Sequence, residues 1–246
     1  MANRYVVGDT SIDSVRGFVR NNYNINLEGG SRMKQDMAGR KTVIFFNHYR
    51  QGPEISGFPN NPDLGAGLAG HDFAPILAKL FADEAFSETG VRVARAGKPL
   101  YPKDEFYYRS AKEVGNILMS EEGVEQVATQ FQQAWGRGLT PTICPEAGLR
   151  CLKQWKSGGV VAATLAGADT VTLVTESPWI SLIDRSAKFH YVGALGIPQE
   201  VKEAVWNKED NVVNKFNDGL RREMARALVR SNYEPAYTRE VAQFAK

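Results

Sequence analysis

A histidine at position 48 follows directly after a short apolar run, and its neighbours decide what chemistry it can do. The stretch FFNHYRQGPE (residues 45–54) ends that run in Asn47 and His48, and the carboxylate of Glu54 follows a few residues on. A neutral imidazole can take the proton from an attacking hydroxyl, and a carboxylate can hold the imidazole in the required tautomer. His48 is therefore a candidate general base, and a hydrogen-bonded core histidine is the alternative.

Two more groups of polar residues stand at the ends of predicted strands. VRVARAGKP contains Arg92 and Arg95, and TICPEAGLRC contains Glu146, Gly148 and Arg150. Arginine binds phosphate through a bidentate fork, and glycine lets backbone N–H groups approach an anion. Strand parity puts the two neighbouring arginines on opposite faces, so we expect Arg95, which is nearer the strand end, to reach the site. With the histidine, this combination favours acyl transfer onto a phosphate-bearing alcohol over hydrolysis.

Predicted strands and helices alternate along the chain and place these residues. The predicted strands are TVIFF (42–46), VRVAR (91–95), LTPTIC (139–144), TVTLVT (170–175) and AKFHYVGAL (187–195). The predicted helices cover residues 13–20, 73–86 after a cap at Asp72, 104–119, 121–135, 158–168 and 210–230. We expect an α/β fold: a single domain, residues 1–246, whose central, largely parallel sheet is flanked by helices. Residues 1–40 are expected to be an N-terminal extension that is mostly loop, and residues 205–246 a C-terminal helix and tail.

The carboxyl ends of the strands in such a sheet form the ligand crevice. We therefore expect the loops that carry the histidine, the arginine and the Pro-Glu-x-Gly turn to converge there. His190, in the last predicted strand, is interpreted as a packing or surface residue.

Composition narrows the classes of function. The chain of 246 residues is 43% hydrophobic and 24% charged, with a net charge of +2, which is typical of a soluble globular protein. We expect no nucleic-acid partner, because the balance of charge is close to neutral. Two cysteines, Cys144 and Cys151, are too few for a disulfide framework, and no pair of histidines has the spacing of metal ligands. Without a signal-like or membrane-spanning segment, the expected location is cytoplasmic.

In their order along the chain, these motifs resemble those of the glycerol-phosphate and lysophosphatidate (1-acylglycerol-3-phosphate) acyltransferases. Asn47-His48 resembles the first motif of that family, and Gly90 with Arg95 in GVRVAR resembles the second. CPEAGLR (144–150) resembles the third motif, and WKSGGVVAATLAGADTVTLVT (155–175) resembles the segment that follows it. The resemblance covers about residues 25–200.

The resemblance implies roles for these residues. His48 would be the general base, Arg95 would bind the acceptor phosphate, and Glu146 with Gly148 would line that site. The donor would be an acyl thioester of coenzyme A or acyl carrier protein, used as a substrate, with no cofactor and no metal. The acceptor would be a small phosphorylated alcohol or a lysolipid, which is often met at a membrane surface.

Two departures from the family pattern leave alternatives open. The family has an aspartate five positions after the histidine, where this chain has Pro53. Either Glu54 serves in a wider turn, or residues 49–71 are an insertion and Asp72 is the partner; we favour Asp72, because DFAPILAKLF resembles the helix that follows the family's aspartate. Ala147 is either a replacement for a glycine or an extra residue, so the equivalence of Arg150 to the family's arginine stays open.

Other functions compete with acyl transfer. Pro53 favours a non-catalytic lipid- or phosphate-binding member of the same fold, and GAGLAG (65–70) matches a dinucleotide-binding pattern. The glycine pattern follows FPNNPDL rather than a strand, which makes it weak. A basic group is either a solvated face or a dock for a carrier protein or anionic lipid heads; it comprises Lys98, Lys103, Arg109 and Lys112. SPWISLI (177–183) is interpreted as ordinary core packing, and a membrane-contacting patch is the alternative.

Overall fold

The computed structural model describes residues 20–47, 84–95, 121–143, 145, 155–181 and 186–230. Its strands are β1 (Asn24–Glu28), β2 (Thr42–Asn47), β3 (Val93–Arg95), β4 (Thr140–Ile143), β5 (Thr170–Ser181) and β6 (Ser186–Gly196). Its helices are α1 (Gly30–Met37), α2 (Glu121–Gly136), α3 (Gly158–Ala166), α4 (Gln199–Asn207) and α5 (Asp210–Arg230). Residues 84–88 are also helical.

The described strands form one six-stranded sheet in the order β1-β6-β5-β2-β4-β3. β2 runs parallel to β4 and β5, and β4 runs parallel to β3. β6 is antiparallel to β5, and β1 is parallel to β6. The prediction of an α/β sheet flanked by helices is confirmed, but the sheet is mixed, since β1 and β6 run against the other strands. Only residues 182–185 join β5 to β6, and so short a connection suits antiparallel neighbours.

Most predicted elements that fall on described residues are confirmed within a residue or two, apart from β5, which runs on to Ser181. The prediction that residues 21–40 are loop is wrong, because they contain β1 and α1, and α4 was not predicted. β1 buries only Leu27 of its five residues, so it lacks an alternating apolar pattern. The predicted helices at 104–119 and, for the most part, at 13–20 and 73–86 lie outside the described residues. The domain bounds stay a prediction.

Alternation along the central strands separates two buried layers. Val43 and Phe45 of β2 pair with Val171 and Leu173 of β5, and all four belong to one core cluster with buried residues of α2, α3, α4 and α5. The intervening residues project to the other face, because successive side chains of a strand alternate. On that face α1 packs on β6, and the Tyr191 hydroxyl donates a hydrogen bond of 2.6 Å to Asp36 of α1. Both faces of the sheet are therefore covered.

Candidate functional site at the carboxyl edge of the sheet

Each of three neighbouring parallel strands ends within or directly before one of the three predicted motifs. β2 ends at Asn47, β4 at Ile143 and β3 at Arg95. Phe45 is level with Ile143, and both Ile44 and Arg95 pair with Thr142. The strands therefore end at different heights. β2 runs about 10 Å further than β3 along the strand direction, and the two strands are about 10 Å apart across the sheet.

The β5–β6 pair extends beyond the other strands at this edge. Asn47 is level with Thr175, whereas β5 continues to Ser181 and remains paired there with Ser186 of β6. The β5–β6 pair therefore projects past the end of β2, on one side of the candidate site. Residues 177–181 of SPWISLI, for which core packing was favoured over membrane contact, belong to this projecting part of β5.

Of the predicted site residues, the structure places Arg95 as the last residue of β3. The chain passes into His48 directly after β2, and into the Pro-Glu-x-Gly segment after β4. The other predicted site residues lie outside the described residues: His48, Glu54, Asp72, Glu146, Gly148 and Arg150. The choice between Asp72 and Glu54 as the carboxylate partner stays a prediction.

The two ends of the third motif segment are anchored together. The Pro145 carbonyl accepts a hydrogen bond of 3.3 Å from the backbone N–H of Lys156. The neighbouring Trp155 is buried and packs edge-on against Phe45, with ring centroids 6.3 Å apart and an interplanar angle of 61°. Residues 146–154 therefore leave and re-enter the described structure at one place, next to β2.

The C-terminal helix α5 supplies a polar group next to Trp155, which the sequence analysis did not identify. Asn217 is 2% exposed, and its side-chain N–H donates a hydrogen bond of 3.3 Å to the Trp155 carbonyl. Among the described residues, the side-chain oxygen Oδ1 of Asn217 and the indole N–H of Trp155 are buried without a hydrogen-bond partner. Buried polar groups normally find partners, so these two unpartnered atoms are unusual within an otherwise apolar cluster. The signal was present in the sequence as an asparagine on the apolar face of α5, between Val213 and Leu220.

His190 and Glu28 form a histidine–carboxylate pair at the same level of the sheet as Asn47. Thr175 is level with Asn47 and also with His190 of β6, which in turn is level with Glu28 of β1. His190 Nδ1 lies 2.9 Å from Glu28 Oε2, and the two side chains are 20% and 75% exposed. The interpretation of His190 as a packing or surface residue missed this pair, because Glu28 lay in a segment predicted as loop.

The His190–Glu28 pair makes a prediction about stability against pH. Burial lowers the pKa of His190, with a smaller effect in the same direction from Lys188, and the Glu28 carboxylate opposes the shift only in part. As pH falls below about 6.5, the unfolded chain protonates first, so the free energy of unfolding falls until the folded histidine is also protonated. His190→Gln removes this term, and its stability should fall less than that of the wild type between pH 7.5 and 5.

Urea unfolding at several pH values measures the effect, and Glu28→Gln is the matched variant. Losing the carboxylate should lower the pKa of His190 further and make the acid loss of stability larger. The two substitutions should therefore change the pH dependence in opposite directions. Identical changes in both variants would show that His190 does not titrate as described.

The chain matches no family model, no curated protein and no solved structure. The resemblance to the acyltransferases therefore stays a prediction that depends on its own motifs. Among the described residues, no helix has the length and apolar character to cross a membrane. In that part of the chain, histidine, cysteine and acidic side chains also form no group of three that could hold a metal ion.

Proposed function

We propose that this protein is an O-acyltransferase. It moves a fatty acyl group from a thioester of coenzyme A or acyl carrier protein to a hydroxyl of a glycerol-phosphate-like or lysophospholipid acceptor. One observation carries the proposal: β2, β4 and β3 are neighbours and parallel, and each ends within or directly before one motif of the resemblance. Ligands bind at the carboxyl ends of the strands in sheets of this kind.

In the proposed reaction, the His48 imidazole takes the proton from the acceptor hydroxyl as its oxygen attacks the thioester carbonyl carbon. The carbon–sulfur bond then breaks, and the leaving thiolate receives the proton from the imidazolium. The carboxylate of Asp72 or Glu54 would hold the imidazole tautomer and stabilise its charged form. Glu146 and Gly148 would line the acceptor site, beside Arg150 on the same segment.

Arg95, the last residue of β3, would bind the acceptor phosphate. Its backbone is about 10 Å from β2 across the sheet, and along the strand direction β3 ends about 10 Å before β2 does. An arginine side chain and a small phosphorylated acceptor together span such a distance. This arrangement separates the phosphate from the reacting hydroxyl, as the chemistry of the acceptor requires.

Arg95→Ala should raise the KM for a phosphorylated acceptor about 10- to 100-fold, since a hydrogen bond to a charged group contributes about 1.5–3 kcal/mol. The KM for the acyl thioester should stay within about twofold. The matched control is Arg92→Ala, because Arg92 is exposed and differs in strand parity from Arg95. Steady-state kinetics with varied acceptor measure both variants. Equal changes in KM for the two alanine variants would contradict a phosphate-binding role for Arg95.

The second candidate is a non-catalytic protein that binds a lipid or a phosphate at the same edge. It is supported by Pro53, which occupies the position of the family's aspartate. Mass spectrometry of lipids that co-purify with the protein, together with an assay for thiol release, distinguishes the two. Bound lysolipid without thiol release would favour the binding protein. Cytoplasmic location with peripheral membrane contact is part of the proposal in both cases.

A further inference from the structure

A cavity of about 600 Å³ lies between α4 and α5. Its lining on α5 repeats at Val212, Phe216, Gly219 and Glu223, which is one face of the helix over three turns. The cavity is therefore a groove about 16 Å long. Its β6 residue, Leu195, pairs with Val171 near the start of β5, so this part of the groove is at the sheet edge opposite to the candidate site. We call it the α4–α5 groove.

A glycine within α5 leaves the α4–α5 groove open. Gly219 stands well inside the helix, and apart from its chain neighbours and the nearby backbone of α5, no described atom lies within 4 Å of where a Cβ would be. Glycine in a helix interior destabilises the helix relative to alanine. The chain therefore has a weak helix former where a larger residue would fit and would narrow the groove. Such a position suits the close approach of another molecule to the helix.

The lining of the groove combines an apolar floor with an acidic rim. The floor consists of the partly exposed Leu195, Val212 and Phe216, which lie over the almost fully buried Val201, Ala204 and Leu220. The rim carries the carboxylates of Glu200, Glu203, Glu209 and Glu223, and Lys215 is the only cation among the described residues that line it. Gln199 donates to Glu203, Asn207 donates to Glu209, and Arg226 pairs with Glu223. The lining has a net negative charge even so, because two of these partners are neutral amides.

We propose that the α4–α5 groove binds a basic amphipathic helix of a partner protein. An amphipathic helix in a groove places apolar side chains at i, i+3, i+4 and i+7, which is a row of about two turns, and the apolar floor on α5 also spans about two turns, from Val212 to Leu220. Lysine or arginine beside that row would meet the carboxylates of the rim, whereas an acidic helix would be repelled. The volume suits a row of side chains rather than a whole helix. This proposal does not depend on the acyltransferase proposal.

The probe is a fluorescein-labelled 15-residue peptide of leucine and lysine in an amphipathic helical pattern, titrated with the full-length protein and followed by fluorescence anisotropy. Wild type should bind it saturably, with an affinity that weakens as salt is raised. Gly219→Leu fills the groove and should weaken binding at least tenfold. Gly219→Ala should weaken it less and should raise the midpoint of thermal unfolding by about 2–4 °C. Loss of binding without loss of stability separates a blocked groove from a misfolded chain.

Further controls test whether the bound helix must be basic and whether it binds at the α4–α5 groove. The same peptide with glutamate in place of lysine should not bind, and the double variant Glu200→Gln, Glu203→Gln should weaken the lysine peptide. Gly136→Leu, at the end of α2 and also in open space, should bind as the wild type does. The proposal is overturned by absence of saturable binding to the wild type, by equal affinity in Gly219→Leu, or by equal binding of the glutamate peptide.

Discussion

Replacing His48 by alanine should slow the release of free thiol from an acyl thioester, in the presence of a phosphorylated acceptor, by about 10²–10⁴-fold. A positioned general base contributes rate increases of that size, because it removes the hydroxyl proton in the transition state. The assay follows the thiol with a chromogenic reagent at saturating acceptor. The KM for the acceptor should change little, since the phosphate rather than the hydroxyl would provide most of its binding energy.

His190→Gln is the matched control for His48→Ala. His190 belongs to the histidine–carboxylate pair with Glu28, and two strand spacings, about 10 Å, separate it from Asn47 across the sheet. If His48 is the base, His190→Gln should retain activity within a few-fold. A large loss in His190→Gln with full activity in His48→Ala would transfer the role to the pair on β6 and β1. Full activity in both variants would refute a histidine base at this edge.

The partner of His48 can be identified with the same assay. Asp72→Asn should lower the rate strongly if residues 49–71 are an insertion, whereas Glu54→Gln should then have little effect. An uncharged amide at the partner position no longer holds the required imidazole tautomer and no longer stabilises the imidazolium. The reverse pattern of losses would favour a wider turn that brings Glu54 to the histidine. Both variants should unfold at the same temperature as the wild type before their rates are compared.

The parts of the fold that could be predicted from the sequence are those that local patterns determine. β2 is a continuous apolar run, and α5 repeats apolar residues with helical spacing over 21 residues. β1 could not be predicted in this way, because an edge strand with one buried residue, Leu27, has no alternating pattern. The direction of β6 was also missed, because side-chain patterns do not encode direction, although the short connection 182–185 contained the information.

In the candidate site too, the residues that could be predicted are those placed by local patterns, and the residues that were missed are those placed by tertiary contacts. Arg95 was expected at a strand end, and β3 ends there, because the position depends on one local boundary. The His190–Glu28 pair depends on β1 lying beside β6, which joins residues that are far apart in the sequence. Asn217 likewise contributes only through the packing of α5 against Trp155. Tertiary neighbours of this kind cannot be obtained from one sequence by periodicity.

Phe45→Ala should lower the free energy of unfolding by about 3–5 kcal/mol, which is typical of removing a buried aromatic ring. Phe45 is fully buried in the core cluster, on the face of β2 that packs against α2, α3, α4 and α5. Its ring contacts Trp155 edge-on, and a Cβ at Gly159 of α3 would lie only 3.2 Å from its Cζ atom. The packing is therefore tight, and the cavity left by alanine cannot be filled by small movements. Urea unfolding followed by circular dichroism measures the loss.

Phe46→Ala is the control that distinguishes a loss of protein stability from a loss of positioning of the third motif. Phe46 is 2% exposed and projects to the opposite face of the sheet, so its removal should destabilise the protein by a similar amount. Only Phe45→Ala loosens Trp155, which lies beside the anchored ends of residues 146–154. At a temperature where both variants are folded, Phe45→Ala should therefore lose more acyl transfer activity and shift tryptophan emission to longer wavelength. Equal activity in the two variants would mean that the core beneath β2 stabilises the sheet without positioning the third motif.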